Sequence, residues 1–227
     1  MSQVENFKDW NEKMAIKYNP DHYHNSRNIF IRLLSHLRTR LIIRLLDVRP
    51  KDEVIDLGCG SGNMLAAIHR GRLTGIDLSA SLIQLAENKL KGSGATIIEG
   101  SVEDLPEVIR SKKYDKIFSS EVIEHLEHPE KMIDEIVAIA KPESLIVISF
   151  PNEHLIGKIK FVLLKLGLFK ILFKGLPPQM ADEWHLHEIK LEYFKQLISG
   201  RLRIITIKKI PSCLLPLHYV FLCQINK

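Results

Sequence analysis

The stretch Val54–Gly62, VIDLGCGSG, decides the fold. A short apolar run enters glycines at 58, 60 and 62, the pattern of a buried strand that turns tightly into a helix. Downstream, strand-like runs alternate with amphipathic ones: VIDL, NMLAAIHR, LTGIDL, SLIQLAENKL, ATIIEG, YDKIFSS, PEKMIDEIVAIA and SLIVISF. That alternation predicts a parallel sheet with helices on both faces. Ser79 or Ser81 is placed to cap the second helix, and His128-Pro129-Glu130 puts proline and an acid in a first turn.

Upstream, residues 1–50 form a helical extension, with patterns from about Val4 to Tyr18 and from about Ser26 to Leu46, closed by Arg49-Pro50. Residues 51–227 form the main domain. After Phe150 comes HLIGKIKFVLLKLGLFKILFKGLPPQ, a basic apolar insert at about 154–180. At about 100° per residue its lysines do not gather on one face, so two short helices hinged at Gly167 are expected. A helix from about Lys190 to Ile198 and two strands, RIITIKK and HYVFLCQI, complete the chain.

A chain of 227 residues with 45% hydrophobic content accommodates one substantial domain. Its 32 basic and 27 acidic residues leave a charge of +5, compatible with anionic substrates, membrane surfaces or nucleic acid. Cys59, Cys213 and Cys223 suit neither a zinc site nor a disulfide framework, which favours a reducing interior. The start, MSQVENFKDWNEK, lacks a secretory pattern, and Lys158, Lys160, Lys165 and Lys170 interrupt the one long apolar stretch. A cytoplasmic protein is expected, with peripheral membrane contact through residues 155–176.

A strand, a glycine turn, a helix and an acid ending the next strand is a design for holding an adenosyl ligand. Asp77 follows Gly58 by 19 positions, close to the spacing of a carboxylate that accepts from ribose hydroxyls. Asp56, two residues before the first glycine, would repel a pyrophosphate but attract an ammonium or sulfonium. The spacing is GxGxG, not the dinucleotide GxGxxG. S-adenosylmethionine carries both an amino group and a sulfonium, and glycines at 58 and 60 let the backbone approach its methionine portion.

DLGCGSG followed by GIDLS resembles the first two motifs of class I S-adenosylmethionine-dependent methyltransferases, of the methyltransferase type 11 and ubiquinone-biosynthesis O-methyltransferase kind. EGSVEDLP is similar to that family's adenine-binding turn, and PNEH follows the fifth strand as in relatives. The resemblance implies an α/β, Rossmann-like three-layer sandwich with a mostly parallel seven-stranded sheet, an antiparallel C-terminal strand, and a helical insert after strand 5 over the active-site mouth. It implies cofactor contacts at Asp56, Gly58, Cys59, Gly60, Gly62, Asp77, Leu78, Ser101, Val102, Glu103 and Ser119. Relatives often place an acid where Ser101 stands, so adenine contact falls to Val102, Glu103 and backbone amides. Two blander readings compete: Asp77 capping the next helix, and Cys59 as a packed small residue.

Methyl transfer is an in-line displacement, and an oxygen nucleophile must also lose a proton. Candidate bases cluster in SSEVIEHLEHPE, at the edge where a ligand crevice is expected: Glu121, Glu124, His125 and His128, with His125 first. Glu121, Glu124 and His125 at i, i+3, i+4 would project in nearly one direction on a helical turn, a set suited to Mg²⁺ or Mn²⁺. The competing reading has no metal, with Glu121 lining the cofactor pocket and the others orienting loops. The run resembles that of ubiquinone-biosynthesis O-methyltransferases and of small-RNA 2′-O-methyltransferases. EWHLHE (Glu183–Glu188) and His154 could close over this site, with His185 ranked above His187. The leading function is O-methylation of a small or lipid-linked hydroxyl compound. RNA methylation is the runner-up, suggested by Arg27, Arg32, Arg38, Arg40 and Arg44, although few aromatics are interleaved for base stacking. A noncatalytic cofactor-binding module is the third reading, and the oligomeric state is left open.

Overall fold

The computed structural model describes residues 6–18, 28–173 and 183–226. The ends of the two N-terminal helical patterns (Val4 and Ser26 onward), Arg27 and the insert's residues 174–180 lie outside them. Helix α1 (Phe7–Lys17) starts at Asn6, whose side chain accepts from the Asp9 N–H. Helix α2 (Ile29–Leu46) is capped by Asn28, which accepts from the Phe30 and Ile31 N–H groups, and ends at Asp47 in the left-handed region.

The main domain alternates strands and helices in chain order: β1 (Glu53–Leu57), α3 (Asn63–Ala66), β2 (Arg72–Asp77), α4 (Ala80–Lys89), β3 (Thr96–Glu99), α5 (Glu107–Arg110), β4 (Tyr114–Ser120), a 3₁₀ turn (Ile123–His125), α6 (Pro129–Ile139) and β5 (Ala140–Pro151). The insert supplies α7 (Glu153–Lys165) and α8 (Phe169–Leu172), followed by α9 (Leu191–Ile198), β6 (Leu202–Pro211) and β7 (Pro216–Ile225). The expected hinge is present: Gly167 stands between α7 and α8 with φ +69°.

The strands form one sheet in the order β3-β2-β1-β4-β5-β7-β6. Strands β1 to β5 pair in parallel, and β7 runs antiparallel to both β5 and β6, so it alone is reversed. Successive residues of β1 feed opposite faces. Ile55 and Leu57 join α6 and α9 residues such as Ile136 and Phe194 on one face. Val54 joins α2 and α3 residues such as Ile42, Leu46 and Leu65 on the other. Each of these buried aliphatic side chains stabilises the fold by about 1.5–3 kcal/mol relative to exposure.

Local chemistry follows the sequence closely. Ser79 caps α4 by accepting from the Leu82 N–H, and Pro129 opens α6 with Glu130 in its first turn. One element is shorter than its pattern. NMLAAIHR gives only the single α-turn of α3, because Ala67 and Ile68 close with tighter bonds to Met64 and Leu65 and the chain must reverse at Gly71, φ +85°, to enter β2.

Candidate active site

At the carboxyl end of β1 the chain turns through Gly58, Gly60 and Gly62, with φ of +82°, +51° and +77°. Glycine is required most strictly at 58, where a Cβ would lie 2.3 Å from Val122 Cγ2. The Gly58 and Cys59 N–H groups donate to the Ile76 carbonyl at 2.8 and 2.9 Å, strapping the loop to β2. Gly60 N–H donates to Asp77 Oδ2 at 2.8 Å, and Ser79 N–H donates to Asp77 Oδ1 at 2.9 Å. Asp77 therefore shapes the loop and the start of α4 together.

Asp56 is 2% exposed, and no described residue donates a hydrogen bond to its carboxyl. Burial first, then the charge of Asp77, pushes that carboxyl well above its ordinary range, and burial raises Asp77 as well. Two acids at one glycine loop, with no cation paired to either among the described residues, make a site that a positively charged ligand would relieve. Cys59 is packed, its thiol raised by burial and by both acids, and its Sγ fills the space a Cβ on Gly75 would need. Ser119 is also structural at its hydroxyl, which donates to the Leu57 carbonyl at 2.8 Å and locks β4 to β1. Leu78 is half-buried between Asp77 and the Ser79 cap.

The turn after β3 departs from expectation. The Val102 side chain belongs to the core with Leu105, and the Glu103 carboxylate accepts from the His128 N–H at the head of α6. Ser101 Oγ accepts from the Glu103 N–H at 3.1 Å. These side chains hold the turn's shape, which leaves its backbone amides as the groups to meet an adenine.

Beyond β4 two polar clusters adjoin. In the first, Glu121 has a left-handed backbone, φ +57°, and donates its N–H to the Ser149 carbonyl at 3.0 Å. Its Oε1 accepts from Ser149 Oγ at 3.0 Å, while its Oε2 lies 2.8 Å from His218 Nδ1 and 3.3 Å from Arg38 Nη1. Burial would raise this carboxyl, but the Arg38 charge and then His218 overcome it and pull it down to about 2.

In the second cluster, ligand atoms of Glu124, His125 and His185 lie within 4.8 Å of one another. Glu124 is 1% exposed, and its Oε2 has no partner among the described residues. Burial first, then the charge of Glu121, drives its carboxyl well above the usual range. His125 Nδ1 is 3.2 Å from the Trp184 carbonyl, and His185 Nδ1 pairs with Glu153. Both acceptors require a proton on Nδ1, which in the neutral rings leaves each Nε2 as a lone pair. The Leu186 and His187 N–H groups donate to the Glu124 carbonyl at 2.9 and 3.2 Å, pinning this segment over the 3₁₀ turn.

The expected set of Glu121, Glu124 and His125 is thus divided. The helical turn covers only Ile123–His125, and the left-handed Glu121 precedes it, so its carboxylate points toward α2 and β7. His185, over 50 residues away, takes its place. Burial first, then His185, lowers His125 to about 3, so its ring suits a lone-pair ligand better than the neutral-pH base expected of it. His128 is exposed beside Glu130 at the head of α6, outside either cluster. His154 lines a groove of about 580 Å³ with Gly157, Lys158, Phe161 and Glu188, next to the Glu153–His185 pair. Arg38 and His218 carry no local sequence signal of a site role. Arg38 reads as one of a run of helix-surface cations, and His218 begins an ordinary strand; only the pairing of Pro151 with His218 on adjacent strands brings it to the site edge.

Residues 49–183 match the family described as methyltransferase domain, and the chain belongs to that family. It is an S-adenosylmethionine-dependent methyltransferase. Among its relatives, the ubiquinone biosynthesis O-methyltransferase of Coxiella burnetii (strain Dugway 5J108-111) is 26% identical over 180 residues, covering 78% of this chain and 74% of that protein. The Actinobacillus pleuropneumoniae serotype 7 (strain AP76) protein of that name is 28% identical over 152 residues, covering 64% of this chain and 65% of that one. Among solved structures, a SAM-dependent methyltransferase from Anabaena variabilis superposes with TM-score 0.70 at 17% identity, covering 97% of this chain and 96% of that one. Magnesium protoporphyrin IX methyltransferase from Synechocystis PCC 6803, with bound SAH, superposes with TM-score 0.68 at 17% identity, covering 97% and 100%. These likenesses show the fold.

Proposed function

We propose that the enzyme methylates a hydroxyl oxygen on a small, apolar or lipid-linked acceptor. The observation that carries this reading is the pair of part-buried acid–histidine clusters beyond β4, beside an apolar helical insert. A cluster rich in proton acceptors serves an oxygen nucleophile, which must be deprotonated, and the names of the relatives agree.

The insert supports an apolar acceptor. Phe161, Leu166 and Ile171 are 66%, 63% and 74% exposed, and Ile29 and Phe30 of α2 add 63% and 60%. Asn28 Nδ2 donates to the Leu172 carbonyl, so the two apolar surfaces are joined. With Lys158 and Lys165 on the same insert, this patch suits an anionic bilayer surface. No helix among the described residues is long and apolar enough to cross a membrane.

The donor set of Glu124, His125 and His185 fits a divalent cation, since it holds an unpartnered buried carboxylate oxygen and two imidazoles with free Nε2 lone pairs. One carboxylate and two imidazoles favour Mn²⁺ or Zn²⁺ over Mg²⁺, which prefers oxygen ligands. Such an ion would supply Lewis-acid activation of an acceptor hydroxyl.

The test is methyl transfer from labelled S-adenosylmethionine to catechols and to prenylated phenols, with chelator-treated protein reloaded with Mn²⁺, Zn²⁺ or Mg²⁺, and flotation on phosphatidylglycerol vesicles. Methylated hydroxyls, vesicle binding lost in F161D/I171D, and metal-dependent turnover are expected. Cofactor binding without hydroxyl methylation overturns the acceptor, and salt-dependent RNA methylation would put RNA in its place. Absent vesicle binding overturns the lipid surface.

A further inference from the structure

Glu121, Arg38 and His218 come from three separate parts of the chain: the loop after β4, the middle of α2 and the start of strand β7. Their arrangement fixes a tautomer. Glu121 Oε2 also faces the Arg38 guanidinium, which only donates, so it is an accepting oxygen, and the 2.8 Å contact with His218 places a proton on Nδ1. Arg38, 3.5 Å from that same nitrogen, has no acceptor there and is directed to Glu121. In the neutral ring, His218 Nε2 is then the lone-pair nitrogen. No described residue hydrogen-bonds to it, and it is not among the sealed buried atoms without partners.

His218 also stands at the right edge of the sheet. It pairs with Pro151, the last residue of β5, and with Ile210 of β6, and so flanks the crevice past the ends of β4 and β5 where ligands of this architecture lie. We infer that His218, oriented by Glu121, is the general base that takes the acceptor's hydroxyl proton during methyl transfer. The inference rests on the hydroxyl-acceptor reading above. In the step, the acceptor oxygen forms a bond to the methyl carbon as the carbon–sulfur bond breaks. The electron pair of that bond stays on sulfur, giving S-adenosylhomocysteine. The hydroxyl proton passes to His218 Nε2.

Carboxylate, imidazole and acceptor repeat the logic of hydrolytic triads, in which the acid fixes the tautomer and stabilises the imidazolium that forms. Among the described residues, the ionic groups in polar contact with His218 are Glu121 from the β4 loop and Arg38 from α2; its strand neighbours Pro151 and Ile210 carry no charge. The alternative role of the network is a purely structural tie of α2 onto the sheet.

The experiment uses the full chain, S-adenosylmethionine and two acceptors, 3,4-dihydroxybenzoate and the more acidic 4-nitrocatechol. H218Q should lower kcat on the first by about 10²–10⁴-fold and abolish the acid-side limb of the pH–rate profile. Cofactor affinity by calorimetry and the acceptor KM should stay within about threefold, since removal of an interaction made only in the transition state leaves them unchanged. On 4-nitrocatechol, which reaches the enzyme largely ionised, H218Q should come close to wild type. Equal loss on both acceptors, or no loss on either, overturns the assignment. If wild type methylates neither compound, the acceptor reading fails, and the tautomer decides the inference separately. Imidazole ¹⁵N shifts of the S-adenosylhomocysteine-bound chain should show His218 protonated on Nδ1 and not on Nε2. A proton on Nε2 overturns it.

Discussion

At the scale of single residues, Glu121 and Glu124 are three positions apart and differ in every respect that matters for charge. Glu121 has Arg38 and His218 as partners and is pulled to about 2 despite its burial. Glu124 has burial and the Glu121 charge against it, and its carboxyl rises well above 4.5. Such divergence between neighbouring carboxyls is a mark of an active site. It has consequences of opposite sign for stability. Glu121 stabilises the folded state above pH 4.5, and that contribution is lost as pH falls from 4.5 toward about 2. Glu124 costs nothing below pH 4.5, and its penalty grows as pH rises from there through its elevated folded value. Metal-free E124Q should therefore melt above wild type at pH 8 and close to it at pH 4.5, measured by calorimetry. Added Mn²⁺ or Zn²⁺ should stabilise wild type and not E124Q. A melting difference that does not vary between pH 4.5 and pH 8 would show that folding does not raise the Glu124 carboxyl above its ordinary range.

At the scale of elements, the glycine loop after β1 and the 3₁₀ turn after β4 are in contact at one point. Val122 sits where a Gly58 side chain would go. The glycine loop and the turn that carries Glu124 and His125 cannot be placed independently. G58A forces both a left-handed alanine and a 2.3 Å overlap, so it should destabilise the protein by about 1–3 kcal/mol and weaken S-adenosylmethionine binding by about tenfold or more. V122A in the G58A background removes the overlap but not the backbone strain. It should recover part of the stability, by thermal melting, and part of the affinity, by calorimetry. No recovery would assign the whole cost to the backbone. The short α3 teaches the same lesson: NMLAAIHR has helical periodicity, but Gly71 must reach β2 within a few residues, and tertiary geometry wins over propensity.

At the scale of the whole molecule, the N-terminal helix α1 packs against the segment after the insert and the start of α4. Trp184 stacks on Tyr18 with ring centroids 6.2 Å apart, its Nε1–H reaches Asn11 Oδ1 at 3.4 Å, and its other side meets His125 at 4.7 Å. Glu12 Oε1 accepts from Ser81 N–H at 3.1 Å, beside Asp77 and the Ser79 cap. Removing residues 1–18 should leave the sheet folded, by circular dichroism, because the main core does not include α1. It should weaken cofactor affinity several-fold and raise hydrogen exchange in residues 183–188. Unchanged exchange there would show that α1 does not hold this segment closed.

Much of the molecule was legible in VIDLGCGSG and its surroundings, because strand burial, glycine turns and helix capping are decided by residues within a few positions of one another. The alternation of runs predicted the parallel sheet, Gly58, Gly60 and Gly62 take the backbone that only glycine adopts freely, and Ser79 and Pro129 start their helices where placed. The acceptor side depends on long-range packing. Whether Glu121 faces Glu124 or His218 turns on one left-handed residue and on strand β7, nearly 100 positions later. The union of His185 with Glu124 and His125 depends on backbone hydrogen bonds across some 60 residues. Local pattern records which faces are apolar and where the chain turns. It does not record which distant polar groups will share a buried volume, and in a buried site those neighbours set the charge state of each group.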